Sequence, residues 1–312
     1  MLSLALEKTI QPRWGPERRM EFIDFRLLWD GTINRGELVE FFGISTQQAS
    51  ADLSRYIEQA PDNLTYDKSA KTYRATPQFR ALVSRSDSQH YLDQLHEIAT
   101  AAKPASSLFI GWKPPCDVVR YPSRPVETST LLRILWAIRD HEDLSVLYQS
   151  MRHPKTKLRW IAPHALASDG LRWHVRAWCY ENGEFRDFVL SRIQRVLNSR
   201  GSSADQAMDE KWHTKIDVIV RPRKELSAGQ QSAVEIDYGM TNGRLVLNCR
   251  KALAFYVIRQ LQLERPYTLT PAEQPLELEN EVELTPFITA GGKNIEQKLH
   301  LQTSLKKELR YE

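Results

Sequence analysis

Ten residues, Leu171 to Tyr180 (LRWHVRAWCY), constrain the fold more than any other stretch of the chain. Read as a strand, with successive side chains on opposite faces, they separate cleanly. Leu171, Trp173, Val175, Ala177 and Cys179 fall on one face, which is apolar and is expected in a core. Arg172, His174, Arg176, Trp178 and Tyr180 fall on the other, which is cationic and aromatic. A sheet face carrying two guanidiniums and an imidazole holds an anion or is costly without one. That face is the first candidate for a binding site.

The chain has 312 residues, more than one ordinary core accommodates, so two or three domains are expected. No apolar run approaches the length of a membrane span, and Glu7 and Lys8 interrupt the N-terminus too soon for a secretory signal. No membrane association is expected. Cys116, Cys179 and Cys249 lie far apart without a CxxC pair, which argues against a disulfide frame or zinc site and for a reducing cytoplasm. The histidines show no metal-ligand spacing, so no metal or cofactor is expected. The net charge of +4 is unevenly spread: residues 1–80 carry 11 cations and 11 carboxylates, whereas residues 103–200 carry 16 cations against 9. Twelve of those 16 are arginine, the cation suited to bidentate anion contacts.

Residues 1–80 read as three helices and a hairpin. Glu17 to Trp29 presents a broad apolar surface (Met20, Ile23, Phe25, Leu27, Leu28) and ends at Asp30-Gly31. Asn34 caps a second helix that Gly43 closes, and Ser45 caps a third, STQQASADLSRYIEQ. Two helices joined by a short glycine-bearing turn are a helix-turn-helix, and LTYDKSAKTYRAT, alternating around Asp67 to Lys71, reads as its wing. The third helix leaves Ser45, Thr46, Gln47, Gln48 and Ser50 at its N-terminal end free of apolar duty. Such residues suit the first turns of a recognition helix, where glutamine pairs with adenine and hydroxyls serve bases or phosphates. Arg55, with Lys68, Lys71 and Arg74 on the wing, is placed to hold the DNA backbone. The neutral charge of this domain fits weak half-sites reinforced by dimerisation.

Residues 77–102 read as one helix, and residues 81–125 together as a helical, proline-rich linker and dimer element. A helix from Thr130 to Asp140 then precedes four strand-like runs, Leu144–Ser150, Lys157–His164, Leu171–Cys179 and Glu184–Ile193, with Asn182-Gly183 as a hairpin signal. They predict a small, strongly curved antiparallel sheet over residues 126–200. Residues 210–312 predict an α+β domain from the strand IDVIVRP, a helix after Ser227, the strand RLVLNCR and a helix from Ala252 to Leu263. The Glu-rich segment at 277–284 reads as a solvated strand.

This order resembles the WYL-domain transcriptional regulators over nearly the whole chain. The naming tripeptide falls on Trp173-His174-Val175, with two of three letters changed; Tyr148, Arg159-Trp-Ile-Ala-Pro163, RWHVRAW and FRDFVLSRI carry the surrounding frame. The N-terminal text RWGPERRMEFIDFRLLWDGTINRGELVEFF is similar to repressors that sit beside phage-defence operons such as BREX and CBASS. The resemblance implies an α+β multidomain protein: a winged helix-turn-helix, an Sm/SH3-like WYL domain, and a C-terminal dimerisation domain. It implies a ligand pocket built from Tyr148, Ser150, Arg159, His174, Arg176, Arg186 and Arg192. Strand alternation agrees in part, since Arg186 and Arg192 are an even number of residues apart and His174 shares a face with Arg176. Arginines with an imidazole and hydroxyls suit phosphates, and Tyr148 or Trp178 suits a base. The expected effector is a nucleotide, a cyclic oligonucleotide or a nucleic-acid fragment.

The expectation is therefore a cytoplasmic homodimeric repressor that binds an inverted-repeat operator on double-stranded DNA and responds to a nucleic-acid ligand. Activation in place of repression is the nearest alternative. A metal-independent phosphodiesterase is disfavoured by the absence of a paired general acid and base. A DNA-binding scaffold whose middle domain only joins subunits is a third reading, and mutating His174 and Arg176 separates it from a sensor by loss of assembly in place of loss of ligand response.

Overall fold

The computed structural model describes residues 15–83, 87–102 and 107–290. Contacts divide the chain into two units, Met1–Tyr121 and Pro122–Glu312. In the first, Pro16 opens α1 (Pro16–Trp29), where a fixed φ suits the first helical position and a missing N–H leaves no bond unmade. A two-residue strand, β1 (Thr32–Ile33), follows. α2 (Arg35–Phe42) begins in a reciprocal capping box: the Asn34 side chain accepts from Glu37 N at 3.1 Å, and Glu37 Oε2 accepts from Asn34 N at 2.6 Å. Gly43 closes the helix at φ 62°, a left-handed conformation that glycine adopts without a Cβ penalty. Ser45 then caps α3 (Thr46–Gln59). The helix-turn-helix is as expected.

β2 (Leu64–Asp67) and β3 (Thr72–Ala75) form the wing, and β1 pairs with β3 to complete a sheet of order β1-β3-β2. β1 is absent from the sequence reading because two residues are too few for alternation to register. Phe22, Phe25, Ile33, Leu38, Leu53 and Tyr56 lie at the buried centre. The single helix expected over 77–102 is shorter. Residues 76–83 run as turns and bends, and α4 spans Ser88–Ala99 with Asp87 as its cap. Pro77 biases its predecessor away from helix, and the Asp87 cap sets a fresh start. α4 and the segment beyond it also serve the first core. Tyr91 stacks on Trp29 with ring centroids 4.6 Å apart, and Phe109 stands edge-on to Phe22 and Phe25.

In the second unit, α5 (Thr128–Asp140) buries Ile134 and Ala137 against β4 (Glu142–Tyr148) and β5 (Lys157–Ser168). With β6 (Trp173–Cys179), β7 (Glu184–Val189) and β8 (Ile193–Gly201), these strands make an open antiparallel sheet of order β7-β6-β5-β4-β8. Register shifts interrupt it beside Val146, Tyr148 and Ala165. The strand expected over Glu184–Ile193 is two elements: a 3-10 turn at Leu190–Arg192 ends β7 and delivers the chain to the opposite edge. β8 leaves no sequence signature because Ile193 alone of its residues is buried, and an edge exposed on both faces shows no alternation.

After α6 (Glu210–His213), β9 (Lys215–Pro222) is the centre of a second sheet, β10-β9-β11, with β10 (Leu245–Arg250) and β11 (Leu276–Leu278). α7 (Ala228–Asp237) starts from a Ser227–Gln230 capping box, and α8 (Ala254–Gln260) and α9 (Glu281–Ala290) complete the domain. Val218, Val220, Ala254, Ile258 and Leu276 form its separate core. The solvated strand expected at 277–284 is corrected. β11 is buried throughout, Glu277 being neutralised by Arg221 at 2.8 Å, and Glu281 and Glu283 open a helix where their charge suits the macrodipole.

Candidate functional site

α3 displays its polar first turn to solvent. Ser45 Oγ accepts from Gln48 N at 3.1 Å, and Thr46, Gln47 and Gln48 are exposed. Ser50 is less free than its sequence position suggests. It donates to Thr46 O at 2.9 Å and accepts from Arg35 Nη1 at 3.2 Å. Arg35, at the start of α2, is thus a cation beside this polar turn that the sequence alone does not single out. Gln48 Nε2 donates to Asp52 Oδ1 at 3.1 Å, and Asp52 is itself gripped by Arg19 through Nε at 2.6 Å and Nη2 at 3.2 Å. Arg55, Lys68 and Lys71 are exposed, the last at φ 52° in the wing turn. Arg74 is exposed but paired with Asp67 at 2.9 Å. Hydrogen bonds from Ser69, Ala70 and Arg74 hold the Asp67 carboxyl well below the usual carboxylate range.

The sensor residues predicted for one pocket divide between the two faces of the five-stranded sheet. Val175, Ala177 and Cys179 are fully buried, as expected, but Leu171 and Trp173 are 45% and 57% exposed because they lie at and before the start of β6. The opposite face is not an open anion site at His174 and Arg176. Both are buried, at 2% and 4% exposure, and the anions Arg176 requires come from the same chain. Asp209 receives Arg176 Nε at 2.7 Å and Nη2 at 2.9 Å, and Asp187, directly across in β7, receives Nη1 at 3.1 Å. His164 Nε2 lies 3.0 Å from the same Asp209 carboxylate. His174 lies against Tyr256 of α8 with centroids 5.0 Å apart, and the Tyr256 hydroxyl donates to Asp187 at 3.0 Å.

Burial alone would lower the Arg176 pKa, but Asp209 and Asp187 outweigh it and hold it above its ordinary value. Burial likewise opposes the Asp209 charge, yet His164 and Arg176 keep its carboxyl well below the carboxylate range. Burial pushes the His174 imidazole down, against the pull of Asp169 and Asp187. This is a structural ion network joining the sheet to the C-terminal domain. A buried pair with its hydrogen bonds made resists removal of either partner.

The remaining five predicted residues, Tyr148, Ser150, Arg159, Arg186 and Arg192, line one cavity of about 440 Å³ at the open end of the other face. Arg186 lies across from Ala177, hence on the apolar side, and Arg159 across from Val146. Arg186 and Arg192 do meet there, although the turn at Leu190–Arg192 removes the strand alternation expected to bring them together. Tyr148 is a core residue first. It is edge-on to Phe188 and its hydroxyl accepts from Val189 N at 3.3 Å, leaving 8% of the residue exposed. Ser150 Oγ accepts from Arg152 N. Arg159 is buried with Nε lacking a partner, while its Nη1 reaches Glu181 and Asn182 of the β6–β7 turn. Arg186, half-buried, pairs at 3.5 Å with the exposed Glu184. Arg192 is half-buried and has no ion pair among the described residues. Glu181, which the sequence reading passed over, is the cavity's own counter-charge; Asp187 also lines it but is committed to Arg176 and Tyr256. Trp178 and Arg176 border a different cavity, with Phe185 and Met208. Among the described residues no cluster of side chains has the composition of a metal site, and no helix is long and apolar enough to cross a membrane.

Three family models match in the order of the domains described: a BrxR transcriptional regulator winged helix-turn-helix domain over residues 15–97, a WYL domain over 129–197, and a BrxR transcriptional regulator C-terminal dimerization domain over 215–284. The DNA-binding transcriptional repressor CapW of Escherichia coli (strain KTE188) is 43% identical over 87% of this chain and 91% of its own. Those of Stenotrophomonas maltophilia and Pseudomonas aeruginosa are 42% and 41% identical, each over 88% of this chain and 93% of their own. Proteasome accessory factor B/C (PafBC) of Arthrobacter aurescens, a solved structure, aligns with 87% of this chain and 45% of its own at 14% identity and a TM-score of 0.29, too slight a likeness to argue from. With a winged helix, a WYL domain and a dimerization domain in sequence, and full-length relatives above 40% identity, the chain belongs to the BrxR/CapW family of DNA-binding transcriptional repressors, which are not enzymes.

Proposed function

We propose that this chain acts in the cytoplasm as a homodimeric repressor of a phage-defence operon. Its two α3 helices read the halves of an inverted repeat about 34 Å apart, or a multiple of that distance. Thr46 and Gln47 meet base edges with Gln48, while Arg35, Arg55, Lys68 and Lys71 hold phosphates. The effector is a nucleotide, a cyclic oligonucleotide or a nucleic-acid fragment bound in the 440 Å³ cavity. The observation that carries the effector reading is the charge of that cavity. Arg159, Arg186 and Arg192 face Glu181 as the one carboxylate not committed elsewhere to buried partners. A ligand phosphate replaces Glu181 on Arg159 and adds Arg192, which has no carboxylate of its own.

Release from DNA follows from linkage: a ligand that favours one dimer geometry by 1–3 kcal/mol shifts operator affinity roughly 5- to 150-fold. The test is a gel shift on DNA from upstream of the protein's own operon, with and without short 5′-phosphorylated oligonucleotides and cyclic nucleotides. Release by one of them, lost in Arg192→Ala while operator binding is kept, supports the reading. An Arg192→Ala protein that still releases DNA on cue refutes the pocket. Gln47→Ala with Gln48→Ala abolishes operator discrimination if α3 is the reading element.

A further inference from the structure

We propose that the buried Arg19–Asp52 pair is a specificity device for operator recognition, holding the Gln48 amide in one orientation so that it presents a single donor–acceptor order to DNA. The inference rests on α3 being the recognition helix. A glutamine amide ordinarily flips at little cost, because its oxygen and nitrogen ends have nearly the same shape and each finds partners in water. Gln48 does not have that freedom. Its Nε2 donates to Asp52 Oδ1 at 3.1 Å, one helical turn along the same face. Asp52 is 4% exposed and takes the Arg19 guanidinium on both oxygens. A carboxylate in such a fork accepts and never donates. Flipping Gln48 would set Oε1 against Oδ1, replacing a hydrogen bond by the contact of two acceptors. The hydrogen bond therefore favours the orientation in which the amide nitrogen faces Asp52.

The rest of the local structure serves the same end. Ser45 fixes the Gln48 backbone N–H, so the side chain leaves the helix from a capped turn. Arg19, at 8% exposure, neutralises a carboxylate that would otherwise lie beneath a DNA-facing helix and repel phosphates. Gln47, the neighbouring glutamine, is exposed and has no side-chain hydrogen bond among the described residues. One glutamine of the pair adapts and the other is set. Base pairs differ in the major groove by the order of donors and acceptors, so an amide of fixed orientation separates bases that a rotating amide accepts equally. Arg19 and Asp52 are positioning residues, since neither is exposed enough to meet DNA.

The test measures dissociation constants of the full-length protein for its operator and for every single base-pair variant of one half-site. Wild type is compared with Gln47→Ala, Gln48→Ala, Asp52→Asn, Arg19→Lys and the double variant Gln48→Ala/Asp52→Asn. Asparagine at 52 keeps the shape but turns its own amide, which releases the orientation of Gln48. The expected result is that Gln48→Ala flattens the preference at one base pair, and Asp52→Asn lowers the preference at that same pair by roughly fivefold or more. Affinity for unrelated DNA is unchanged in Gln48→Ala and does not fall in Asp52→Asn, where a negative charge beneath the helix is removed for all sequences alike, and the double variant loses no more preference than Gln48→Ala alone. Arg19→Lys keeps the charge but loses the fork. It gives a smaller loss at the same base pair and decides the matter if Asp52→Asn does not fold. Full preference retained in Asp52→Asn and Arg19→Lys, or equal weakening on every sequence, overturns the proposal. If Gln48→Ala changes no preference but Gln47→Ala does, the proposal fails and the recognition helix stands. If neither changes any, both fail.

Discussion

Replacing Asp209 by asparagine separates a structural ion network from an anion-binding face. Asp209 is 2% exposed, accepts Arg176 at 2.7 and 2.9 Å, and lies 3.0 Å from His164 Nε2. A hydrogen bond to a charged group contributes about 1.5–3 kcal/mol, against about 1 kcal/mol between neutral partners. Neutralising the acceptor thus costs about 1 kcal/mol for each Arg176 bond. The asparagine NH₂ must also turn toward one of two donors, which loses a further bond. The sum is about 3 kcal/mol. With a urea slope of about 2–3 kcal/mol per molar, the unfolding midpoint of the second unit falls by about 1–1.5 M. Tryptophan fluorescence reports it, because Trp212 stands edge-on to His164.

The pH dependence of the same variant has a definite sign. The folded Asp209 carboxyl lies below its unfolded value. Its contribution is therefore present above the unfolded pKa near ~4 and is lost as pH falls from there through the folded value. The gap between wild type and Asp209→Asn stays constant from pH 7 to about 5 and narrows below about 4. A midpoint change worth less than about 1 kcal/mol, together with tighter oligonucleotide binding, would show that this face is an open anion site and that the network argument is wrong.

Two further outcomes are expected. Burial keeps the folded His174 pKa below its ordinary value, so the unfolded chain takes that proton first and the folded state loses stability as pH drops below ~6.5. His174→Gln should have a flatter Tm profile between pH 7.5 and 5.5, and a profile parallel to wild type would refute the assignment. Glu181→Gln frees Arg159 for a ligand phosphate. Affinity for a 5′-phosphorylated oligonucleotide should rise about fivefold, near ~1 kcal/mol for a half-exposed pair, and unchanged or weaker binding by anisotropy counts against Glu181 as a stand-in.

The DNA-binding half was legible because its signals are local. Asn34, Gly43 and Ser45 each act within four residues of themselves, so caps placed the helices before any tertiary contact was known. The five-stranded sheet was legible in its hairpins and obscure in its partners. The alternation of β6 correctly sorted Val175 from Arg176, but it says nothing about what covers the polar side. Asp209 and Tyr256 approach from 33 and 82 residues downstream of Arg176 and His174, and no pattern in LRWHVRAW points to them. One part of the error was avoidable. The Asn182-Gly183 turn fixes the β6–β7 register, which sets Asp187 opposite Arg176 and Arg186 opposite Ala177. The basic residues therefore had to divide between faces. Gln48 was read by residue type, and the Asp52 contact that restrains it sits at helical spacing in plain view.

The hydroxyl of Tyr256 on Asp187 and the Asp209 carboxylate on Arg176 bear on how this protein can be taken apart. The matched WYL segment stops at residue 197, before either contact is made. A fragment cut there carries a desolvated guanidinium with half of its counter-charge removed and an imidazole stripped of its aromatic cover. Grafting the WYL sheet onto another DNA-binding head consequently calls for a cut upstream of α5 and none downstream: the sheet travels with its tail, as one transplantable piece.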